Sequence, residues 1–185
     1  KKHLRELGIK ELGDCIHNQD PRPGTYEAYV KQVERRFMER FPGYASDRND
    51  WYELYLRRGW FRLMTGFVCS GEYSRNDCLN YPVQGPAFHC LLWTLIRVQA
   101  LLQKRKMRTR IVGQIHDCLL ADVPIGELQD YLHMVKRVVI EELPKAWKWI
   151  IVPLLIEAEV TPEGGNWSQK KNWVLQDGVW GPEKK

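Results

Sequence analysis

The chain has 185 residues, 44% of them hydrophobic and 28% charged, which suits one domain or a domain and a half around a real core. The composition excludes disordered and collagen-like classes; no apolar stretch is expected to span a bilayer, and no charged start runs into an apolar region as a signal peptide would. The net charge of +5 permits a nucleic-acid partner without requiring one, and five cysteines (Cys15, Cys69, Cys78, Cys90, Cys118) without a CxxC pair favour a reducing, intracellular setting over a disulfide framework or a zinc ribbon.

Lys2 to Leu12 is weakly amphipathic and predicts a short helix, followed by a loop dense in breakers from Asn18 to Gly24. Thr25 stands as an N-cap for a helix whose Tyr26, Tyr29, Val30, Val33, Phe37 and Phe41 recur at helical spacing, ended by Pro42-Gly43. A second helix is expected from about Arg48 to Arg58, stopped by Gly59, and Trp60 to Cys69 reads as a strand or hairpin broken near Gly66. Glu72 to Asn80 reads as a polar loop. From Gln84 to about Lys104 a long helix carries apolar residues nearly all round, which predicts burial between layers, with His89 as a satisfied core histidine.

Arg108 to Ile115 and Cys118 to Val123 are two β-rich runs separated by His116-Asp117, the pattern of a tight hairpin. Pro124 opens an amphipathic helix to about Leu143, Ile150 to Val160 reads as a strand, and a Gly-, Trp- and Lys-rich tail follows from Thr161. This order predicts an α+β domain, an antiparallel sheet backed by helices. Expected boundaries are a helical segment over 1–58, a sheet-bearing subdomain over 59–170 and a C-terminal tail over 171–185.

The long helix would travel about 30 Å from Gln84 to Lys104, and a strand from Arg108 to Asp117 would return about the same distance. Asn80, Gln84, His116 and Asp117 are thereby expected at one end, combining amides with a carboxylate. Asp122, five residues along the second strand, is expected on the surface. Glu157 and Glu159 are expected to face solvent, and the six basic residues between Arg97 and Arg110 are expected on a solvated surface or a partner contact.

The stretch QIHDCLLADVP (Gln114 to Pro124) resembles motif C of family A DNA polymerases, and NYPVQGPAFHCLLW (Asn80 to Trp93) resembles the upstream segment with which that family contacts the primer–template duplex. ERRFMERFPGY (Glu34 to Tyr44), GWFRLMTGF (Gly59 to Phe67) and VPLLIEAEV with GGNW (Val152 to Trp167) fall in the family's order, and the YPVQG-AFHCLLW wording resembles bacteriophage enzymes more than bacterial repair enzymes. The resemblance implies a polymerase palm, with the N-terminal helices at the fingers–palm junction. It implies that Asp117 holds one of two Mg²⁺ ions, that His116 lies against the primer terminus, and that Asn80 and Gln84 touch the minor groove. The family's Arg four residues ahead of the Asn falls on Asn76 here, so Arg75, one further back, is the candidate for that DNA contact. Cys118 stands where the family often has Glu.

Motif A with its second aspartate and motif B of the fingers are not found, and both would lie upstream of Lys1. The resemblance therefore implies partners: primer–template DNA, a dNTP, and a second chain or upstream segment supplying thumb, fingers and motif A, with no membrane involved. The implied location is the cytoplasm, that of the host if phage-encoded. The alternatives are a palm fragment that binds DNA or a partner without catalysis, and a structural subunit completing another chain's fold.

Overall fold

The computed structural model describes residues 2–9, 11 and 21–183, without the side chains of residues 2 and 3. The expected continuation of the first helix to Leu12, part of the loop before Gly24, and Cys15 lie outside the described residues. The chain forms two compact units: residues up to 60 with 71–79, and residues 61–70 with those from 80 onward.

In the first unit, α1 (Lys2–Glu6) is followed by α2 (Tyr26–Arg40) and α3 (Pro42–Arg58). Thr25 caps α2 as expected: its hydroxyl accepts from the Ala28 amide at 3.1 Å. The predicted gap between α2 and α3 shrinks to Phe41. Pro42 does not end a helix but opens the next, because a first helical position needs no amide donor. Gly59 stops α3 in a left-handed conformation (φ +73°), its amide on the Tyr55 carbonyl at 2.7 Å. The Tyr55 hydroxyl donates to the Gly71 carbonyl (2.7 Å) and accepts from the Tyr73 amide (2.9 Å), tying 71–73 to this helix.

The expected loop over Glu72 to Asn80 is instead the start of the longest helix. α4 spans Arg75–Lys104. Ser74 and Asp77 cap it reciprocally: the Asp77 amide donates to the Ser74 hydroxyl and the Ser74 amide to the Asp77 carboxylate, each at 3.2 Å. Pro82 and Pro86 lie inside the helix, where each removes a backbone donor. The carbonyl that Pro82 leaves unserved is that of Cys78, and the Trp51 indole N–H donates to it at 2.9 Å.

From Phe61 onward the second unit holds three separate antiparallel pieces of sheet: β1 (Trp60–Arg62, its first residue in the first unit) with β2 (Val68–Ser70), β3 (Arg110–Ile115) with β4 (Cys118–Asp122), and β5 (Ala158–Val160) with β6 (Lys171–Gln176) and β7 (Val179–Pro182). After β4 a 3₁₀ turn (Ile125–Glu127) leads into α5 (Leu128–Arg137), a π-helical turn (Val138–Glu142) and α6 (Leu143–Ala146). The core is built from Val98, Leu101 and Leu102 of α4, Tyr131, Leu132 and Met134 of α5, Val138, Ala158 of β5 and Trp180 of β7. Helices thus back antiparallel strands, and the α+β expectation holds.

Four expectations fail here. α4 is not apolar-buried all round: Phe88, Leu92 and Ile96 are exposed while Thr94, Val98 and Leu102 are buried. It is also long and apolar enough to cross a bilayer, contrary to the composition argument, although Val98, Leu101 and Leu102 sit in the core. The strand predicted from Ile150 is confined to Ala158–Val160, and Ile151, Val152 and Leu155 ahead of it are exposed. The segment expected as a tail folds back as β6 and β7, joined by Asp177 (φ +49°) and Gly178 (φ +80°), a two-residue turn with both central residues left-handed.

Candidate active site

The β3–β4 hairpin closes on two residues. Ile115 and Cys118 are the last paired positions, and His116 (φ +50°) and Asp117 form the turn. A non-glycine residue with positive φ is uncommon, and here its carbonyl is held locally, because the side-chain amide of Gln114 donates to it. Sequence reasoning missed this role of Gln114. At the base of the hairpin, Glu127 accepts from the amides of Arg108 and Thr109 (2.9 Å each) and from the Thr109 hydroxyl (2.6 Å). These bonds, led by that from the Arg108 amide, lower the Glu127 pKa and fix where β3 begins.

Asp117 stands exposed at the tip. Its nearest hydrogen-bond partner is a weak one, the Cys118 thiol at 3.7 Å from Oδ1. Burial raises the Cys118 pKa, and the Asp117 charge raises it further, so the thiol is neutral where the family often carries a carboxylate. Glu159 and Lys170 also bear electrostatically on this thiol. They pair with each other at 2.6 Å, so Glu159 is not merely solvated, and Lys170 lies 4.6 Å from the centre of the Trp167 ring. Asp122 stands opposite Arg110 in the hairpin register, away from the tip, as expected. Arg97, first of the six basic residues, is paired with Glu142 at 2.6 Å.

Asn80 and Gln84 lie one turn apart on α4 and both are exposed. Their turn is pinned within the second unit. The Tyr81 ring meets Phe61 (centroids 6.4 Å apart), and Leu63 lies so close over Gly85 that a Cβ there would fall 2.5 Å from its methyl group. One turn on, His89 Nδ1 lies 2.7 Å from the Thr65 hydroxyl, so His89 is satisfied as expected. No hydrogen bond links Asn80 or Gln84 to His116 or Asp117 among the described residues. Arg75, in the first turn of α4, belongs to the first unit, where it donates to the Asn49 side chain and lies 5.8 Å from the centre of the Tyr52 ring.

An exposed, acceptor-only carboxylate with free lone pairs suits a hard divalent cation. Among the described residues no group of three or more His, Cys, Asp or Glu side chains could enclose one.

The sequence profile of DNA polymerase family A matches residues 24–169. DNA polymerase I of Caldicellulosiruptor bescii is 31% identical over 168 residues, covering 90% of this chain and 18% of that protein. DNA polymerase I of Chloroflexus aurantiacus is 25% identical over 158 residues, 80% of this chain and 16% of the other. The DNA polymerase of Bacillus phage SP01 is 27% identical over 107 residues, covering 56% of this chain and 11% of the phage protein. The chain thus spans less than a fifth of the length of these relatives. Among solved structures, the polymerase domain of Pol1 from M. smegmatis, in complex with DNA primer–template and dNTP, superposes with a TM-score of 0.53 at 22% identity, over 65% of this chain and 23% of that one. That likeness supports the fold.

Proposed function

This chain belongs to DNA polymerase family A, and from that premise we propose that it is the motif C portion of a DNA-directed DNA polymerase palm, contributing Asp117 to nucleotidyl transfer. The observation that carries the proposal is the hairpin: a two-residue turn, its backbone held by Gln114, that presents one bare carboxylate. Rigid elements place such a group more reproducibly than a loop does.

Two bound Mg²⁺ ions would supply charge stabilisation to the attacking 3′-oxygen and the departing pyrophosphate. Asp117 would hold one of them from this chain's side. His116 would rest against the primer terminus. Asn80 and Gln84, with donors and acceptors one helical turn apart, would read the minor-groove acceptors, which are nearly the same for every base pair; that suits an enzyme that copies any sequence. Arg75 would contact the DNA backbone. The second carboxylate, the thumb and the fingers would come from a partner chain or further polypeptide, and the exposed apolar faces of α4 and of 151–155 are consistent with such a partner. The YPVQG-AFHCLLW wording leads us to propose a phage-type enzyme working in the host cytoplasm.

The test is primer extension by the chain reconstituted with the polypeptide that supplies the second aspartate. Asp117→Ala is expected to lower extension on the order of a thousandfold, a loss of about 4 kcal/mol of transition-state stabilisation, while primer–template binding is largely kept. Extension that survives Asp117→Ala would leave a palm fragment that binds DNA or a partner without catalysis.

A further inference from the structure

The corner between α2 and α3 carries an aromatic cluster that plays no part in the function proposed above. Phe37, Phe41 and Tyr44 are 47%, 45% and 52% exposed. Their rings nevertheless touch: centroids lie 4.9 Å apart for Phe37 and Phe41, and 5.9 Å for Phe37 and Tyr44. Val33, one turn earlier on α2, is also exposed and extends the same apolar strip. An amphipathic helix ordinarily turns such a stripe inward; here it faces out.

The cluster is flanked by guanidinium groups. Arg40 lies 5.8 Å from the centre of the Phe41 ring and Arg48 lies 5.5 Å from that of Tyr44. Between residues 31 and 48 there are five Lys and Arg side chains against three Asp and Glu; Lys31 and Glu34 pair with each other at 3.5 Å, leaving four basic side chains against two acidic ones. Exposed rings alone would suit any apolar partner. Rings flanked by arginines suit a ligand that presents flat π-faces beside negative charge. Duplex DNA hides its base faces in the stack, whereas a single strand offers them together with its phosphates.

We infer that this corner binds single-stranded nucleic acid, with bases stacked on Phe37, Phe41 and Tyr44 and phosphates on Arg40 and Arg48. The site shares no residue with Asp117 or with the duplex contacts proposed for Asn80 and Gln84, and it stands or falls independently of them.

The test compares fluorescence anisotropy of the full chain with a labelled oligothymidine and with an abasic phosphodiester of equal length. The wild-type chain binds the oligothymidine more tightly. Phe37→Ala and Tyr44→Ala each weaken that binding roughly tenfold, from the loss of one stacked base, and leave the abasic strand unaffected; Tyr44→Phe keeps wild-type affinity. Arg40→Gln and Arg48→Gln each flatten the dependence of log affinity on log salt by about 0.7. Thermal melts of these surface variants match the wild type. Equal affinity for the two strands, or ring variants that bind like the wild type, overturns the inference. So does sedimentation in which the patch closes a dimer that Phe37→Ala dissolves, because a second copy is then the occupant. Primer–template duplex binding under Asn80→Ala and Gln84→Ala is measured beside it, so that loss of one site is not mistaken for loss of the other.

Discussion

Tyr131 sits in the core of the second unit, and burial pushes its pKa up to about 12. The unfolded chain would ionise the same phenol near its ordinary value of 10. Between these values the unfolded state holds fewer protons than the folded one, so stability falls as pH rises through that window. The loss approaches about 2–3 kcal/mol by pH 12. Denaturation midpoints followed over this alkaline range should show the decline, and Tyr131→Phe should flatten it. A Tyr131→Phe protein with the same alkaline slope would assign the loss to other groups. At this scale the sequence was a good guide wherever one side chain acts on its own neighbourhood: the Thr25 cap and the Gly59 stop were both legible. It was a poor guide where a role depends on the turn being closed. Gln114 became visible as the residue holding the His116 carbonyl only once the hairpin register was known.

Elements were legible where their signal is periodic and local. α2 and the β3–β4 hairpin fall where helical spacing and the His-Asp break put them, whereas the helix expected to open on Pro124 begins as a 3₁₀ turn (Ile125–Glu127), with α5 running only from Leu128 to Arg137. The misses have physical causes. The long helix was expected only from Gln84, past Pro82, yet α4 begins at Arg75 and runs through Pro82 as well as Pro86, and at the first the Trp51 indole serves the carbonyl left open. The Ser-x-x-Asp cap at Ser74 was a readable signal of the true start. Asp177-Gly178 was likewise a hairpin signal inside a segment read as tail. That hairpin lies beyond the residues matched to the family, and two side chains of α5 hold it: His133, whose Nε2 lies 3.0 Å from the Gly178 carbonyl oxygen, and Gln129. The Gln129 amide donates to the Trp180 carbonyl at 2.7 Å, and its oxygen accepts from the Trp180 amide at 2.9 Å. Gln129→Ala strands both partly buried backbone groups and should cost about 1–3 kcal/mol. Amide exchange over β6 and β7 should quicken while α2 keeps its protection. Unchanged exchange at Trp180 would mean that core packing and the His133–Gly178 bond seat the hairpin without Gln129.

Across the molecule, the distribution of apolar surface is the least legible feature and the most informative for function. From sequence, α4 looked buried all round, because a stretch of apolar residues says nothing of which face has a neighbour. In the structure one face meets the core, while Phe88, Leu92 and Ile96, each one turn from the next, face outward. The motif C proposal requires a second carboxylate from elsewhere, and this stripe is a surface the polypeptide supplying it can cover. Fully burying side chains of this size is worth about 1.5–3 kcal/mol each, so two charges placed on the stripe should weaken association by a hundredfold or more. Leu92→Asp with Ile96→Asp is the variant to make. Because both side chains already face solvent, its thermal melt alone should stay near wild type. Its affinity for the complementing polypeptide, measured by sedimentation or calorimetry, should collapse, and primer extension with it, whereas Asp117→Ala should leave that affinity intact. A double variant that still assembles and extends primers would move the partner's seat off α4 without touching the assignment of Asp117.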